Sequence, residues 1–430
     1  MTSLWNRFYK KNILITGGSG FLGTAIVYRL VTKAAPPDKI YIVCRGGRAS
    51  LEKKWKEWLG PEADALLSAD NIVTIQGDIE TMDFNTALDG LKLDLDIIIH
   101  SASTINLARP LKQIKNMIVQ ASLNLAELAT NCPNLERFVY VSTAYSNANL
   151  YQSRGTPHVR IEEQIYPIGD GDTTDDELAD LESLKQDEPS QFNEYVEQFP
   201  YAYTYAKHLT ERLMKKKLGD KLLILRPSII GPAQSYPFEG YSMPLSTPST
   251  LFSAAIMLTP SRSMVLATRA SNPMLEATSD EVPVDVVADR LLAHLAYGTT
   301  GPVHAVSGSN ALSIFQPWWE ECMKERRLPW KVKPVWRSID WRSPELHPIC
   351  RTTVLFGTSF EFGEEKTADL SDMLDDDEQL EWELYTKKSS TSYDLSKRRQ
   401  HIRYCMKRLA RRNAGARMLI RVFYRNYGAK

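Results

Sequence analysis

Four side chains in two segments of the chain could carry out acid–base chemistry at a carbonyl group. Tyr203 and Lys207 stand four positions apart, so on a helix they would lie on one face. A neighbouring ammonium favours tyrosinate, which would move a phenol pKa from about 10 toward the range where it can exchange a proton. Ser142 and Thr143 end a β-branched and aromatic run that starts at Arg137, and a hydroxyl there could hold a developing oxyanion.

A glycine turn near the N-terminus is the best-defined element that could position a second reactant beside these residues. An apolar run from Asn12 leads into Gly17, Gly20 and Gly23, and a helix is expected over about 21–31. Gly17 permits the tight turn, Gly20 lets backbone N–H groups approach a pyrophosphate, and Gly23 allows close packing of the helix on the strand. The positive end of the helix would face the phosphates. Strand, turn and helix in this order predict a dinucleotide-binding site.

The residues after the next strand indicate which dinucleotide would bind. The predicted strand Lys39–Cys44 is followed by Arg45 and Arg48, where an NAD-binding protein usually offers a carboxylate to the ribose 2′-hydroxyl. A guanidinium matches a phosphate bidentately, so arginines here favour NADPH over NADH. The two arginines could instead belong to a solvated loop.

Two further strand ends should reach the same edge of a parallel sheet, where ligands of such sheets bind. One strand leads into Asp78, which could reach the adenine, and another leads into Ser101, whose backbone could line the cofactor. Each could equally be a loop cap. The cofactor residues expected from these segments are Thr16, Gly17, Gly20, Phe21, Leu22, Gly23, Arg45, Arg48, Asp78, Ile79, Ser101 and Ala102.

Five motifs follow one another in a recognisable order along the chain. They are Thr16–Gly23, Val141–Tyr145, Tyr203 with Lys207, Leu225–Gly231 and Val282–Ala288. This order resembles the extended short-chain dehydrogenases/reductases, over about residues 11 to 310. Within that superfamily the chain looks most like the fatty acyl-CoA reductases, also called the male-sterility family, and the related thioester-reductase domains.

The resemblance implies a role for each residue of the candidate site. Thr143 would bind the oxyanion with Ser142 as its neighbour, Tyr203 would donate the proton, and Lys207 would orient the nicotinamide ribose. A further segment would pass beside the nicotinamide, and its residues are Pro227, Ser228 and Ile229. The fold implied is a doubly wound parallel α/β sheet of the Rossmann type, with a smaller substrate-binding lobe and a mostly helical C-terminal region.

Composition narrows the class of protein further. The formal net charge of the 430 residues is zero, so no global field favours nucleic acid. Five cysteines without a Cys-x-x-Cys pair fit a reducing compartment, and dispersed histidines predict no metal site. Neither a signal peptide nor a run of about 20 apolar residues is recognised, which predicts a cytoplasmic protein.

Three regions are expected: a nucleotide-binding domain over 1–232, a substrate-binding lobe over 233–315, and a Trp-rich C-terminal region over 316–430. The acidic segment Gly169–Ser190 could be a lid over the site or a solvated surface insertion. The apolar stretch Leu251–Leu258 could line an acyl-chain pocket or form a plain core helix.

The last part of the chain is basic and amphipathic. After Asp394 it contains twelve cations and no acidic residue, with apolar residues between them at roughly helical spacing. Such a tail could lie on an anionic membrane surface. We favour its docking against acidic segments of its own chain or of a second subunit, which leaves a homo-oligomer open.

These expectations converge on NADPH-dependent reduction of an acyl thioester to an aldehyde, with further reduction to a primary alcohol left open. The thiol could be coenzyme A or a carrier-protein arm. One alternative is an extended reductase or epimerase that acts on an aldehyde, a ketone or a nucleotide sugar. Another is a regulatory scaffold that binds NADP(H) without turnover.

Overall fold

The computed structural model describes residues 3–107, 109–151, 158–167, 196–339, 343–346, 350, 359–387 and 394–429. The acidic segment Gly169–Ser190 and Trp341 therefore lie outside the described residues. The strands within these ranges are β1 Asn12–Thr16, β2 Lys39–Cys44, β3 Ile72–Gln76, β4 Ile97–His100, β5 Arg137–Val141, β6 His158–Ile161, β7 Leu222–Pro227, β8 Ile229–Gly231, β9 Ser263–Ala267, β10 Thr278–Ser279, β11 Glu281–Pro283, β12 Gly301–Ala305, β13 Ser313–Ile314, β14 Lys333–Arg337 and β15 Ser359–Phe362.

Seven strands form one parallel sheet in the order β12-β7-β5-β4-β1-β2-β3. In the register of β1, Ile13 lies opposite Ile40 of β2 on one side and Ile97 of β4 on the other. The chain thus winds away from β1 in opposite directions, which creates a crevice at the carboxyl ends of β1 and β4. The doubly wound Rossmann-type sheet predicted from the sequence is confirmed.

Helices cover both faces of this sheet, which is why its strands are almost continuously apolar. Alternate residues of β1 enter different clusters: Ile13 and Ile15 pack in one hydrophobic cluster, and Leu14 packs in another. Within the described residues, the α-helices are α1 Phe21–Thr32, α2 Gly47–Leu59, α3 Ala63–Leu67, α4 Asn85–Leu88, α5 Leu111–Lys115, α6 Ala121–Thr130, α7 Ala202–Leu218, α8 Pro248–Leu258, α9 Pro273–Glu276, α10 Val284–Tyr297, α11 Phe315–Glu325, α12 Glu365–Met373, α13 Asp376–Glu381, α14 Arg399–Leu409 and α15 Ala414–Phe423.

A late segment of the chain returns to the nucleotide-binding core. Leu370 of α12, together with Trp382 and Leu384, belongs to the same hydrophobic cluster as Ile13 and Ile15. Trp382 stacks on Trp5, with ring centroids 3.7 Å apart. The region predicted over 316–430 therefore contributes side chains to the core of the region predicted over 1–232, although its boundary at 316 stays a prediction.

Helices α11, α14 and α15 build a second cluster around α8, while Phe360 and Phe362 of β15 pack in a different cluster. Trp318 and Trp319 of α11 are buried there, and Ile402 and Met406 of α14 pack against the same cluster. Ion pairs add to this packing at 2.7 Å between Arg398 and Glu281 and at 2.8 Å between Arg399 and Glu325. The start of the basic tail is thus docked on its own chain, through individual carboxylates of other elements.

Candidate active site

A cavity of about 340 Å³ opens at the carboxyl ends of the central strands. It is lined by the start of α1 and by residues that directly follow β4, β5 and β7, as expected for a ligand site of this fold. The predicted site residues that line it are Gly20, Phe21, Leu22, Ser101, Ser142, Thr143, Tyr203, Lys207, Pro227, Ser228 and Ile229. The structure therefore brings the two hydroxyls, the Tyr/Lys pair and the glycine turn to one cavity.

The helix α7 places Tyr203 and Lys207 on one face, as their spacing predicts. It begins at Ala202, directly after the extended residue Tyr201, so Tyr203 lies in its first turn. The Lys207 ammonium donates a 2.7 Å hydrogen bond to the carbonyl of Val141 and lies 4.6 Å from the centroid of the Tyr140 ring. Strand β5 thus fixes the lysine at the edge of the cavity.

The electrostatics of this pair differ from the expectation drawn from the sequence. Burial raises the pKa of Tyr203 well above its ordinary value, whereas the sequence analysis expected the neighbouring ammonium to lower that pKa. Burial also lowers the pKa of Lys207 to about 7, with the charge of Glu211 acting in the opposite direction. The sequence argument considered only the neighbouring charge, whereas desolvation disfavours both tyrosinate and ammonium in this enclosed site. A phenol that stays protonated is the form that a proton donor requires.

The two strand-end hydroxyls have different partners. Ser142 Oγ donates a hydrogen bond to the buried carboxylate of Glu211, and the Ser142 amide donates to the Leu225 carbonyl at 2.7 Å. Among the described residues, Thr143 Oγ1 donates one long hydrogen bond of 3.4 Å to the Pro227 carbonyl and accepts one of 3.3 Å from the Tyr145 amide. Ser142 is therefore held by the protein, while Thr143 is the hydroxyl that can turn to a ligand in the cavity.

Behind Ser142 lies a buried ion pair that the sequence analysis missed. Glu211 and Arg226 have side chains only 1% and 0% exposed, and Arg226 Nη2 donates to Glu211 Oε2 at 2.5 Å. A second guanidinium nitrogen of Arg226 donates to the carbonyl of Gln164 at 2.9 Å. A sequence signal existed, because Glu211 follows Lys207 by four positions and so continues the face of α7 that carries Tyr203.

The glycine turn has the shape that a dinucleotide requires. Gly17 has a φ of +80°, and a Cβ atom there would meet the Ala102 amide nitrogen at 2.7 Å. A Cβ on Gly23 would overlap the Gly17 carbonyl oxygen, so α1 can pack closely on the turn only with glycine there. The N-terminus of α1 has no side-chain cap, which leaves its amides available to an anion.

Other expected cofactor residues lie behind or beside the cavity. Thr16 is fully buried, and its hydroxyl lies 2.7 Å from Nδ1 of His100. Ile79 is buried in the core. Arg45 is 71% exposed in its side chain and lies 3.7 Å from a carboxylate oxygen of Asp78. The structure thus gives Thr16 and Ile79 packing contacts and leaves Arg45 and Asp78 outside the lining of the cavity.

Arg48 is engaged by its own helix. Its guanidinium Nε donates to Glu52, one turn further along α2, at 2.7 Å, and a second nitrogen reaches the Ile72 carbonyl at 3.4 Å. A guanidinium with these partners is less available to a phosphate than the sequence suggested, because the carboxylate already neutralises it.

Apolar side chains complete the cavity. They include Ile105, Leu107, Ile230 and Pro248. The predicted apolar stretch Leu251–Leu258 contributes no residue to the described lining and is largely buried in the cluster around α8. Of the two readings of that stretch, the structure favours a core helix.

The described residues contain neither a metal-ligand cluster nor a helix suited to span a membrane. No group of three or more His, Cys, Asp and Glu side chains among them is placed to hold a metal ion. Within the same part of the chain, each helix is too short or too polar to cross a lipid bilayer.

Fold and cavity together define a dinucleotide-binding protein of the extended short-chain dehydrogenase/reductase type. The family model described as male sterility protein matches residues 15–291, and the chain belongs to this family. It is 30% identical over 313 residues to fatty acyl-CoA reductase 1 of Xenopus laevis, covering 69% of this chain and 56% of that protein. The chain thus spans about half the length of the curated relatives it matches.

Solved structures with the same fold include two reductase domains. The reductase domain of the aureusimine biosynthetic cluster aligns with a TM-score of 0.57 and 16% identity, over 95% of this chain and 94% of that one. The terminal R domain of the myxalamid PKS-NRPS pathway aligns with a TM-score of 0.56 and 16% identity, over 85% of each chain. At this level of identity, the likeness concerns the fold.

Proposed function

We propose that this protein is an NADPH-dependent oxidoreductase that reduces an acyl thioester, and specifically an acyl-CoA, to an aldehyde. The observation that carries the proposal is the cavity itself, in which the N-terminus of α1, the Thr143 hydroxyl and the pair Tyr203 and Lys207 meet under apolar walls. The names of the curated relatives support the choice of a fatty acyl-CoA.

In the proposed reaction, the protein prepares the thioester carbonyl for a hydride that bound NADPH supplies. The Thr143 hydroxyl donates a hydrogen bond to the carbonyl oxygen and stabilises the negative charge that develops there. Tyr203, kept protonated by burial, transfers its proton to that oxygen. Lys207 would hold the nicotinamide ribose and, in its protonated form, would offset the charge left on the Tyr203 phenolate. The resulting hemithioacetal collapses to thiol and aldehyde.

The finer features of the substrate and product are also proposals. The apolar side chains that line the cavity suit an alkyl chain better than a nucleotide sugar. Reduction of the aldehyde to a primary alcohol would need the same oxyanion hydroxyl and the same proton donor. A carrier-protein thioester remains the alternative donor, since the proposed chemistry is the same for both thiols.

The decisive experiment is NADPH oxidation by the purified protein across acyl-CoA thioesters of increasing chain length, with matching aldehydes and with NADH as controls. We expect a thioester-dependent rate that increases with chain length. A protein that reduces only aldehydes or ketones would be a general extended reductase instead. Cofactor binding without any turnover would favour the regulatory scaffold.

We also propose that the enzyme works in the cytoplasm, at an anionic membrane surface. All five cysteines are free and buried, which fits a reducing compartment.

Helix α14 is docked, but α15 exposes Met418 to 68% and Val422 to 58% among arginines. A basic helix with an exposed apolar edge suits the headgroup region of a bilayer. Sedimentation with phosphatidylserine vesicles, but not with phosphatidylcholine vesicles, would support this, and replacing both Met418 and Val422 with serine should weaken it.

A further inference from the structure

Lys54, a residue that sequence reasoning did not single out, reaches from α2 to the glycine turn. Its ammonium donates a 3.1 Å hydrogen bond to the hydroxyl of Ser19, which lies between Gly17 and Gly20. Lys54 is half-buried, and it stands in the helix that directly follows β2. A cation from the β2–α2 unit is therefore held against the turn that would carry the dinucleotide.

Three other cations of this unit face carboxylates. Arg48 contacts Glu52 at 2.7 Å, Lys56 lies 4.0 Å from the same carboxylate, and Arg45 lies 3.7 Å from Asp78. For Lys54, in contrast, the described part of the chain provides the neutral hydroxyl of Ser19 and no ion pair. Its charge is therefore not compensated by a carboxylate within 4.0 Å in the described part of the chain, and, unlike its exposed neighbour Lys53, Lys54 is held at the glycine turn.

The contact with Ser19 holds the Lys54 ammonium beside the first glycine turn, near which the adenosine ribose of a dinucleotide would lie. In the register of the sheet, Thr16 at the end of β1 lies opposite Val43 near the end of β2. In this fold the ribose 2′ position is met by groups at the end of the second strand, beside the first turn. Gly46 and Gly47, with φ of +80° and +63°, turn the chain sharply there, so that α2 runs back past the turn.

We propose that Lys54, together with Ser19, binds the 2′-phosphate of NADPH and is the residue that sets the preference for NADPH over NADH. This inference rests on the proposed use of a dinucleotide cofactor. Lys54 takes the place of Arg48 as the expected ligand of the 2′-phosphate, and Arg45 remains as a second, exposed contact.

The test separates the 2′-phosphate from the rest of the cofactor by using two fragments that need no turnover. Binding of 2′,5′-ADP and of 5′-AMP is measured by isothermal titration calorimetry for the wild-type protein and for Lys54→Gln. We expect Lys54→Gln to weaken 2′,5′-ADP binding by about tenfold, the effect of one charge-assisted hydrogen bond. Binding of 5′-AMP should not change.

Lys56→Gln is the matched control, because it removes the same charge from the same helix at a site that faces Glu52. It should leave both affinities unchanged. Equal weakening of both fragments by Lys54→Gln would overturn the proposal and assign the lysine to the 5′-phosphate. Unchanged binding of both would overturn it as well, and would reduce Lys54 to a structural contact of Ser19.

The same titrations distinguish a failure of this inference from a failure of the proposed function. A wild-type protein that binds 2′,5′-ADP no more tightly than 5′-AMP has no 2′-phosphate site, and the proposal then falls. A protein that shows the expected loss in Lys54→Gln but reduces no thioester keeps the Lys54 assignment, and only the proposed reaction is then wrong.

Discussion

Two buried arginine–carboxylate pairs of similar chemistry lie in different parts of the molecule. Arg226 and Glu211 are 0% and 1% exposed in their side chains, and Arg29 and Asp289 are 6% and 0% exposed. Both contacts involve two or more hydrogen bonds between guanidinium and carboxylate. The two pairs differ in the additional groups with which each of them makes contact.

The pair around Arg29 ties distant parts of the chain together. Arg29 of α1 also donates to the carbonyl of Glu381 at 2.6 Å, and its guanidinium lies 5.1 Å from the Trp5 ring and 4.3 Å from the Tyr236 ring. The pair around Glu211 instead holds the Ser142 hydroxyl at the edge of the cavity. A buried ion pair can thus support either the fold or the site, and only its further partners show which.

The largest effect should come from breaking each pair. Asp289→Ala and Glu211→Ala should each lower the free energy of unfolding by about 3–5 kcal/mol, because each leaves a buried guanidinium unpaired. Only Glu211→Ala should also lower kcat per folded molecule. Urea unfolding and rate measurements well below the unfolding temperature separate the two effects.

Glu136→Ala is the control for that experiment, since Glu136 is 45% exposed and contacts Lys11 at 2.6 Å on the surface. It should cost at most about 1 kcal/mol. If Asp289→Ala reduced kcat as strongly as Glu211→Ala, the distinction between the two pairs would be wrong.

Tyr203→Phe should affect the reaction without affecting either pair. Removing the proton donor is expected to lower the rate by about 10²- to 10⁴-fold. The NADPH dissociation constant and the unfolding midpoint should stay close to those of the wild type. Tyr205→Phe is a control of the same chemistry at a fully buried position of the same helix, and it should retain the rate. A Tyr203→Phe protein with a near-normal rate would remove Tyr203 from the proposed mechanism.

The two strand-end hydroxyls allow a finer comparison. Thr143→Ala should lower kcat by about 10²- to 10³-fold with little change in stability, because it removes a donor to the oxyanion. Ser142→Ala should have the smaller effect on kcat and the larger one on stability, about 1–3 kcal/mol, because Glu211 loses a buried hydrogen-bond donor. The reverse order would mean that Ser142, and not Thr143, faces the substrate.

A more gradual effect is expected in the dependence of stability on pH. Burial lowers the pKa of Lys207 from its ordinary 10.5 to about 7, so between these values the unfolded chain binds more protons than the folded protein. The free energy of unfolding should therefore rise with pH above about 7, by at most about 1.4 kcal/mol per pH unit. Urea unfolding from pH 7 to pH 9 should show a shallower slope for Lys207→Met than for the wild type. Identical slopes would contradict the shift.

Local patterns predicted the elements of the site well. The helix expected over 21–31 is observed as Phe21–Thr32, and the strand Lys39–Cys44 has the predicted bounds. Glycines that turn the chain and side chains four positions apart are short-range features, so the sequence alone carries them. The common cavity for the glycine turn and the Tyr/Lys helix follows from the parallel sheet that these elements imply.

Long-range features could not be predicted in the same way. The contact between Lys54 and Ser19 and the pair of Glu211 with Arg226 join residues whose approach depends on the complete packing of helices on the sheet. The direction of the Tyr203 pKa shift was wrong in the sequence analysis, because burial is a property of the folded chain. Whether Arg48 faces a phosphate or Glu52 likewise depends on side-chain geometry.

The late return of the chain to the core affects how the protein can fold while it is being synthesised. Leu370, Trp382 and Leu384 pack in the cluster that contains the first strand, so that cluster lacks part of its wall until these residues have been synthesised. The nascent nucleotide-binding domain, predicted over 1–232, must therefore wait, with apolar surface uncovered, until residues 370–384 have been translated. Such an intermediate is a natural client for chaperones that bind nascent chains.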